Sequence, residues 1–346
     1  MEGVCGKPPI RPNPADASQP ARGAAIRLRR YLPPVASLAA ILAPLWLLEG
    51  FHLFQLTVAV IMALAVLGLN IVTGYSGQIS LGHGAFFAIG AYVTAALMSH
   101  AGWSFWATLP PSAALCGIVG YGVGLPALRL GGLYLALVTF SLAVAVPQLL
   151  KHRSLEAWTG GVQGLFLSKP EPPPWLPLDP DQHMYLLAVL VAGCCFWLTS
   201  NLVCSRIGLA LMAIRDHPVA AEASGMDIAA LKTRAFAVSA MITGVAGALS
   251  AVTIEYVAPD SFGLPLSITL FVGMVVGGVA SVLGPVFGGL FVLFVPSIAE
   301  SISRATPGVV YGVILIVFLV GMPDGIAGLI RRAAQRIGWS AEDRTT

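Results

Sequence analysis

The sequence predicts an all-α protein, a polytopic membrane helix bundle of about ten transmembrane helices. Three observations predict it. Of 346 residues, 57% are hydrophobic and only 10% are Asp, Glu, Lys or Arg, where a soluble domain carries about a quarter charged residues. Mean hydropathy is +0.83. The charges are also confined. None falls between Glu49 and Arg129, and only Glu255 and Asp260 fall between Arg234 and Glu300. A bilayer span takes about 20 mostly apolar residues, so each stretch holds several spans. No soluble surface could be made from them.

Residues 1–32 form a polar, Pro-rich lead with Lys7, Arg11, Arg22, Arg27, Arg29 and Arg30. It has little to bury, which predicts a disordered basic tail. Basic residues before an apolar run also mark a secretory signal. Here the run ends in Leu48-Glu49-Gly50 without a small-x-small cleavage pattern, and further spans follow, so the first span is expected to be retained. The transmembrane domain is expected over 33–328, with spans at 33–48, 52–73, 82–99, 105–127, 132–150, 184–203, 235–254, 266–283, 286–303 and 308–322. Residues 329–346, with Arg331, Arg332 and Arg336, form a second basic tail.

Orientation follows from the basic residues of the short loops. Ten spans place both tails, Arg129 and the 204–234 loop on one side, expected to be the cytoplasm. Glu49, Asp260 and the loop 151–183 fall outside, with Arg304 as the dissenting charge. The external loop carries Pro170 and Pro172 to Pro174, then Pro177 and Pro180, which favour extended or turn backbone.

Many of the 38 glycines sit inside spans. Gly273 and Gly277 form a G-x-x-x-G, as do Gly284 and Gly288, a spacing that lets helices approach closely in lipid.

The catalytic readings are weak. Gly74-Tyr75-Ser76-Gly77 matches the G-x-S-G of intramembrane serine proteases, with His83 seven residues on. A tight turn with polar caps explains it better, and spans seven to ten hold no His. There is no H-E-x-x-H. Five cysteines without a CxxC spacing argue against metal or redox work. A net charge of +3 gives no footprint for nucleic acid. No enzyme activity, metal or cofactor is expected.

Transport remains. Carboxylates and bases are absent from the span interiors, which equips a secondary transporter poorly. No G-x-x-x-x-G-K-[ST] phosphate loop exists, so this chain does not bind ATP by that route. Active transport would need an external motor; a passive channel would need none.

The 204–234 loop offers a place for one. Asp216 is placed as an N-cap with Pro218 in the first turn, giving a short helix 218–224 that ends at Gly225. Asp227 caps the next helix, which runs through Arg234 into span seven. Small Ala faces with Arg215, Asp216 and Glu222 suit a helix lying in a partner's groove, or a solvated connector.

Ala220-Ala-Glu-Ala-Ser-Gly225 resembles the coupling segment of bacterial ABC-importer permeases. Further matches follow in order. They are Gly74-Tyr-Ser-Gly-Gln-Ile-Ser-Leu-Gly-His-Gly-Ala-Phe-Phe-Ala-Ile-Gly-Ala-Tyr92, Leu130-Gly-Gly-Leu-Tyr-Leu-Ala-Leu-Val-Thr139, Trp158-Thr-Gly-Gly161 and Gly277-Gly-Val-Ala-Ser-Val-Leu-Gly-Pro-Val-Phe-Gly288. Over residues 35–328 the chain resembles branched-chain amino-acid ABC transporter permeases of the LivM type. The resemblance implies two inverted five-helix halves in a bacterial inner membrane. It implies a homologous second permease of the LivH type, two cytoplasmic ATPases that bind the ATP, and an external substrate-binding protein. On it, Arg215, Asp216, Pro218, Glu222 and Gly225 are the ATPase-coupling candidates. Tyr75, Ser76, Gln78, Ser80 and His83, polar but uncharged, are expected either along the translocation path or in a packed helix-entry turn. Urea, short amides and other small polar solutes use similar permeases.

Overall fold

The computed structural model describes residue 44 and residues 50–127, 132–172, 178–302, 306–322 and 324–336. Apart from residue 44, the expected first span lies outside the described residues, as do the N-terminal tail, Arg129 and Arg304. Every expected span from the second to the tenth meets a helix. These are α1 (Phe51–Asn70), α2 (His83–Ala101), α3 (Phe105–Ala127), α4 (Gly132–Leu150), α6 (Pro180–Cys204), α9 (Ile228–Ile254), α10 (Leu264–Gly277), α11 (Gly284–Ile302) and α12 (Pro307–Gly321). Between them lie α5 (Glu156–Thr159), α7 (Arg206–Asp216) and α8 (Pro218–Ala223), and α13 (Gly325–Arg336) follows. Two short strands, β1 (Leu165–Phe166) and β2 (Tyr256–Val257), pair antiparallel. Eight stretches of the described residues are helical, long and apolar enough to cross a membrane, and Tyr134–Leu150 is a shorter apolar helix. The protein is a polytopic helical bundle.

Two helices begin earlier than the apolar pattern implies, because capping sets the start. Asp179 opens α6 with Pro180 at its first position, and its N–H donates to Gln182 Oε1 at 3.1 Å, which satisfies one of the donors a helix N-terminus leaves free. Asp227 Oδ1 accepts from Ala230 N at 3.0 Å and starts α9. At 27 residues, α9 is about 40 Å long, longer than the hydrocarbon core. Its first turns carry Lys232 and Arg234 toward the interface. The external loop is correspondingly shorter than expected, and α13 runs through the boundary drawn at residue 328.

Glycine brings the helices together. A Cβ on Gly90 of α2 would collide with the Gly244 carbonyl of α9. The two G-x-x-x-G motifs face each other across the α10–α11 hairpin, Gly273 against Gly288 and Gly277 against Gly284, each backbone filling the space a side chain would need. Dispersion across such close backbones takes the place of the hydrophobic effect, which lipid does not supply between helices.

Packing is reciprocal. α1 packs on α11 while α9 packs on α3, and the neighbours α2 and α3 match the neighbours α10 and α11. That is the pattern two related halves produce. Each half also interrupts its chain at a corresponding place: residues 76–82 between α1 and α2, and residues 255–263 between α9 and α10.

Candidate functional site

The first interruption begins with a change of helical pitch. Ile71–Tyr75 form a π turn that continues α1; such turns cluster at functional sites. Ser76 N then reaches back to Ile71 O at 3.2 Å and Gln78 N to Val72 O at 3.0 Å. Residues 77–82 are irregular and α2 starts at His83.

This break lies deep in the bundle. Leu81 N donates to Thr139 Oγ1 at 3.0 Å, and Thr139 lies near the middle of α4. His83 bonds to Ser239, near the middle of α9. Backbone at such depth must be satisfied by the protein itself. The side chains of the break alternate accordingly. Ser76, Gln78 and Ser80 are buried, whereas Gly77 and Ile79 are exposed and Leu81 half-buried. The polar residues point inward and the apolar ones outward, the reverse of a soluble strand.

Inside, their hydrogen bonds form a directed chain. Ser239 Oγ donates to Gly68 O at 2.6 Å. Its single proton being spent, it accepts from His83 Nε2 at 2.6 Å. A neutral imidazole donates from one nitrogen and accepts at the other, so Ser80 Oγ donates to His83 Nδ1 at 3.0 Å. Ser80 Oγ also accepts from Gly82 N at 3.4 Å. The ring packs against the pair of Phe86 and Phe236, with centroids 5.8 and 6.1 Å away. Gly84 N donates to Ser267 Oγ at 3.0 Å, tying the start of α2 to the first turn of α10. Gln78 Nε2 donates to Ser76 Oγ at 2.8 Å, and Ser76 Oγ to Val72 O at 2.9 Å.

Tyr75, Ser76, Gln78, Ser80 and His83 are thus brought together, each 6% exposed or less. His83 ties α2 to α9, Ser80 fixes His83, Ser76 and Gln78 brace the end of the π turn, and Tyr75 packs in an apolar cluster with Val203 and Val282. Ser76 is not paired with His83: its hydroxyl bonds to Val72 O and Gln78, while His83 bonds to Ser80 and to Ser239, whose own proton goes to Gly68 O.

A second junction lies beside the first. Asn70 Nδ2 donates to Ser281 O at 2.7 Å and Asn70 Oδ1 accepts from Ala280 N at 3.0 Å. Ala280 is one of two non-glycine residues at positive φ among the described residues, at 56°. The Asn70 amide therefore clamps the turn between α10 and α11.

The coupling-loop candidates fall into two groups. Pro218, Glu222 and Gly225 are exposed on α8 and its C-terminal turn, and Gly225 has the positive φ (81°) of a C′ residue. Only Ala221 of α8 is buried, and Val219 is 79% exposed. Asp216 departs from expectation. It is the last residue of α7, and His217 precedes α8 as N-cap. The reason is its neighbour. Arg215 Nε donates to Asp216 Oδ1 at 2.9 Å and holds that carboxyl below the usual carboxylate range. Arg215 itself turns inward, and Nη1 donates to Gly74 O at 2.9 Å.

Residues 52–319 match the family described as the permease component of the branched-chain amino acid transport system. The chain belongs to this family. It is 28% identical over 298 residues to the high-affinity branched-chain amino acid transport system permease protein LivM of Escherichia coli K12, covering 80% of this chain and 69% of the relative. Identity and coverage are the same for the LivM of Salmonella typhimurium LT2. A probable branched-chain amino acid transport permease protein LivH of Methanocaldococcus jannaschii is 28% identical over 145 residues, 38% of this chain and 44% of the relative. No solved structure matches significantly.

The permease match spans both breaks and the α7–α8 loop. Five residues of the site, Gly68, Asn70, Thr139, Ser239 and Ser267, went unnoticed in the sequence. Asn70 carried a usable mark, since an amide inside a charge-free span needs a protein partner. The four others are small residues of a kind common in membrane helices.

Proposed function

We propose that the chain is one of two homologous permease subunits of an ATP-driven ABC importer for branched-chain amino acids. Two ATPases dock from the cytoplasm on the coupling helices of the two permeases, α8 being the one in this chain, and an external binding protein delivers the solute at the opposite face of an inner membrane. The observation that carries this reading is α8 itself. Within a chain of this permease family, it is a six-residue helix exposed on nearly every side and led by a bare Val219. An isolated helix that short has no stability of its own, and it is held by flanking α7 and α9 in a position to enter another subunit.

The solute path then runs along the outward side of the first break, where Ile79 and Leu81 suit an aliphatic side chain. The inward polar residues hold that wall. ATP-driven approach of the two ATPases would move α8 and shift the bundle between outward-open and inward-open states.

The test is the purified complex of both permeases, both ATPases and the binding protein in liposomes. Glu222→Lys combined with Gly225→Pro reverses a charge and imposes a φ near −65° on a residue that needs +81°. Loss of ATPase docking, with uptake down at least about ten-fold (roughly 1.4 kcal/mol of coupling), is expected. Undiminished docking and solute-stimulated hydrolysis would refute the reading, as would conduction by liposomes lacking the ATPases.

A further inference from the structure

Arg215 is in the loop that faces the aqueous side, yet its guanidinium is spent on the membrane domain. The π turn explains why it fits. In a continuing α-helix Gly74 O would accept from Gln78 N. That N–H bonds to Val72 O instead, which leaves Gly74 O among the open carbonyls of a helix end. Arg215 Nη1 takes the vacant place at 2.9 Å, and a cation suits the negative end of the helix.

The contact is shaped as well as charged. Gly77 has φ 71°, and a Cβ there would lie 2.7 Å from Arg215 Cγ and 3.3 Å from its Cβ. The absent side chain of Gly77 is the space through which the arginine stem passes. On the far side of the π turn, Gly74 packs against Asn70 and Ala280, so the same turn abuts the α10–α11 connection. Tyr75, Val203 and Val282 form one apolar cluster with Met212 of α7 and Ala280. The end of α7, the first break and the α10–α11 turn therefore meet at one point, and Asp216 fixes the guanidinium from the side that leads to α8.

We propose that Arg215 is the positioning residue through which movement of the α8 docking helix reaches the membrane domain, acting on Gly74 and Gly77 rather than on the ATPases. The proposal rests on the importer reading. Docking and transmission are then separate tasks of one loop: α8 binds, Arg215 transmits. Loss of Arg215 should leave the complex assembled but waste ATP.

The experiment is uptake per ATP hydrolysed in the reconstituted complex. Arg215→Ala should keep both ATPases bound and lower the ratio at least about ten-fold. Arg215→Lys, which retains the charge but gathers its donors on one nitrogen instead of the fork that puts Nε on Asp216 and Nη1 on Gly74, should fall between. Gly77→Ala should match Arg215→Ala by displacing the stem, and the double variant should be no worse than either, since residues of one contact are not additive. An unchanged ratio in Arg215→Ala overturns the proposal. If that variant yields no complex, an unchanged ratio in Gly77→Ala overturns it instead. Loss of ATPase binding in Arg215→Ala with full recovery in Arg215→Lys also overturns it, because the charge would then serve docking. Wild-type uptake that needs no ATP would instead strike the importer reading itself.

Discussion

The two breaks occupy corresponding places in the two halves and are held by opposite chemistry. Residues 76–82 carry no charge and are secured by hydroxyl, amide and imidazole groups bonded within the bundle. Residues 255–263 carry Glu255 and Asp260 and are secured by ion pairs. Lys169 reaches Asp181 at 2.8 Å and Glu255 at 3.7 Å, and Lys151 pairs with Asp260. The β1–β2 pair adds backbone bonds there. Burial accounts for the contrast. Where the protein shuts out water, an unmet polar group costs several kcal/mol. At the second break the carboxylates are exposed, water satisfies what the protein does not, and exposed ion pairs are worth roughly 0–1 kcal/mol.

That contrast can be broken at three places of decreasing effect. Asn70→Ala should be the most damaging, by about 2–4 kcal/mol, since it strips a donor and an acceptor from part-buried backbone at once and frees the strained Ala280 turn. Thermal unfolding of the purified complex in detergent measures it; a loss under about 0.5 kcal/mol would show that the turn holds without its clamp. Ser239→Ala should cost about 1–3 kcal/mol by leaving His83 Nε2 without an acceptor, read by the same melt. Wild-type stability there would mean that water enters the break, and the account from burial would fail. Lys169→Gln should cost at most about 1 kcal/mol, because its carboxylate partners are partly exposed and screened. The difference from wild type should shrink further in 1 M salt. A salt-independent loss as large as that of Ser239→Ala would erase the distinction between the breaks.

Much of the bundle was legible because bilayer solvation writes itself in long runs. The span 132–150 coincides with α4, and the paired G-x-x-x-G motifs at 273–277 and 284–288 do face each other. Gly225 ends α8 as a C′ glycine should. What was not legible depends on partners far away in sequence. His83 reads as a lone polar residue until Ser239 and Gly68 stand beside it. Arg215 reads as a loop charge bound for a partner's groove or for water, because nothing local reveals that a π turn has freed the Gly74 carbonyl. Asp216 had the makings of an N-cap, and the adjacent guanidinium claimed it. The polar run at 74–84 was visible as unusual, but alternation alone does not say which face is inside.

That alternation makes the first break a ruler with a two-residue repeat. Inserting or deleting one residue between Ser76 and Gly82 would exchange its faces, turning serine and glutamine outward and Ile79 into a polar nest. The break can therefore accept changes of side chain one at a time, yet its length is counted to the residue.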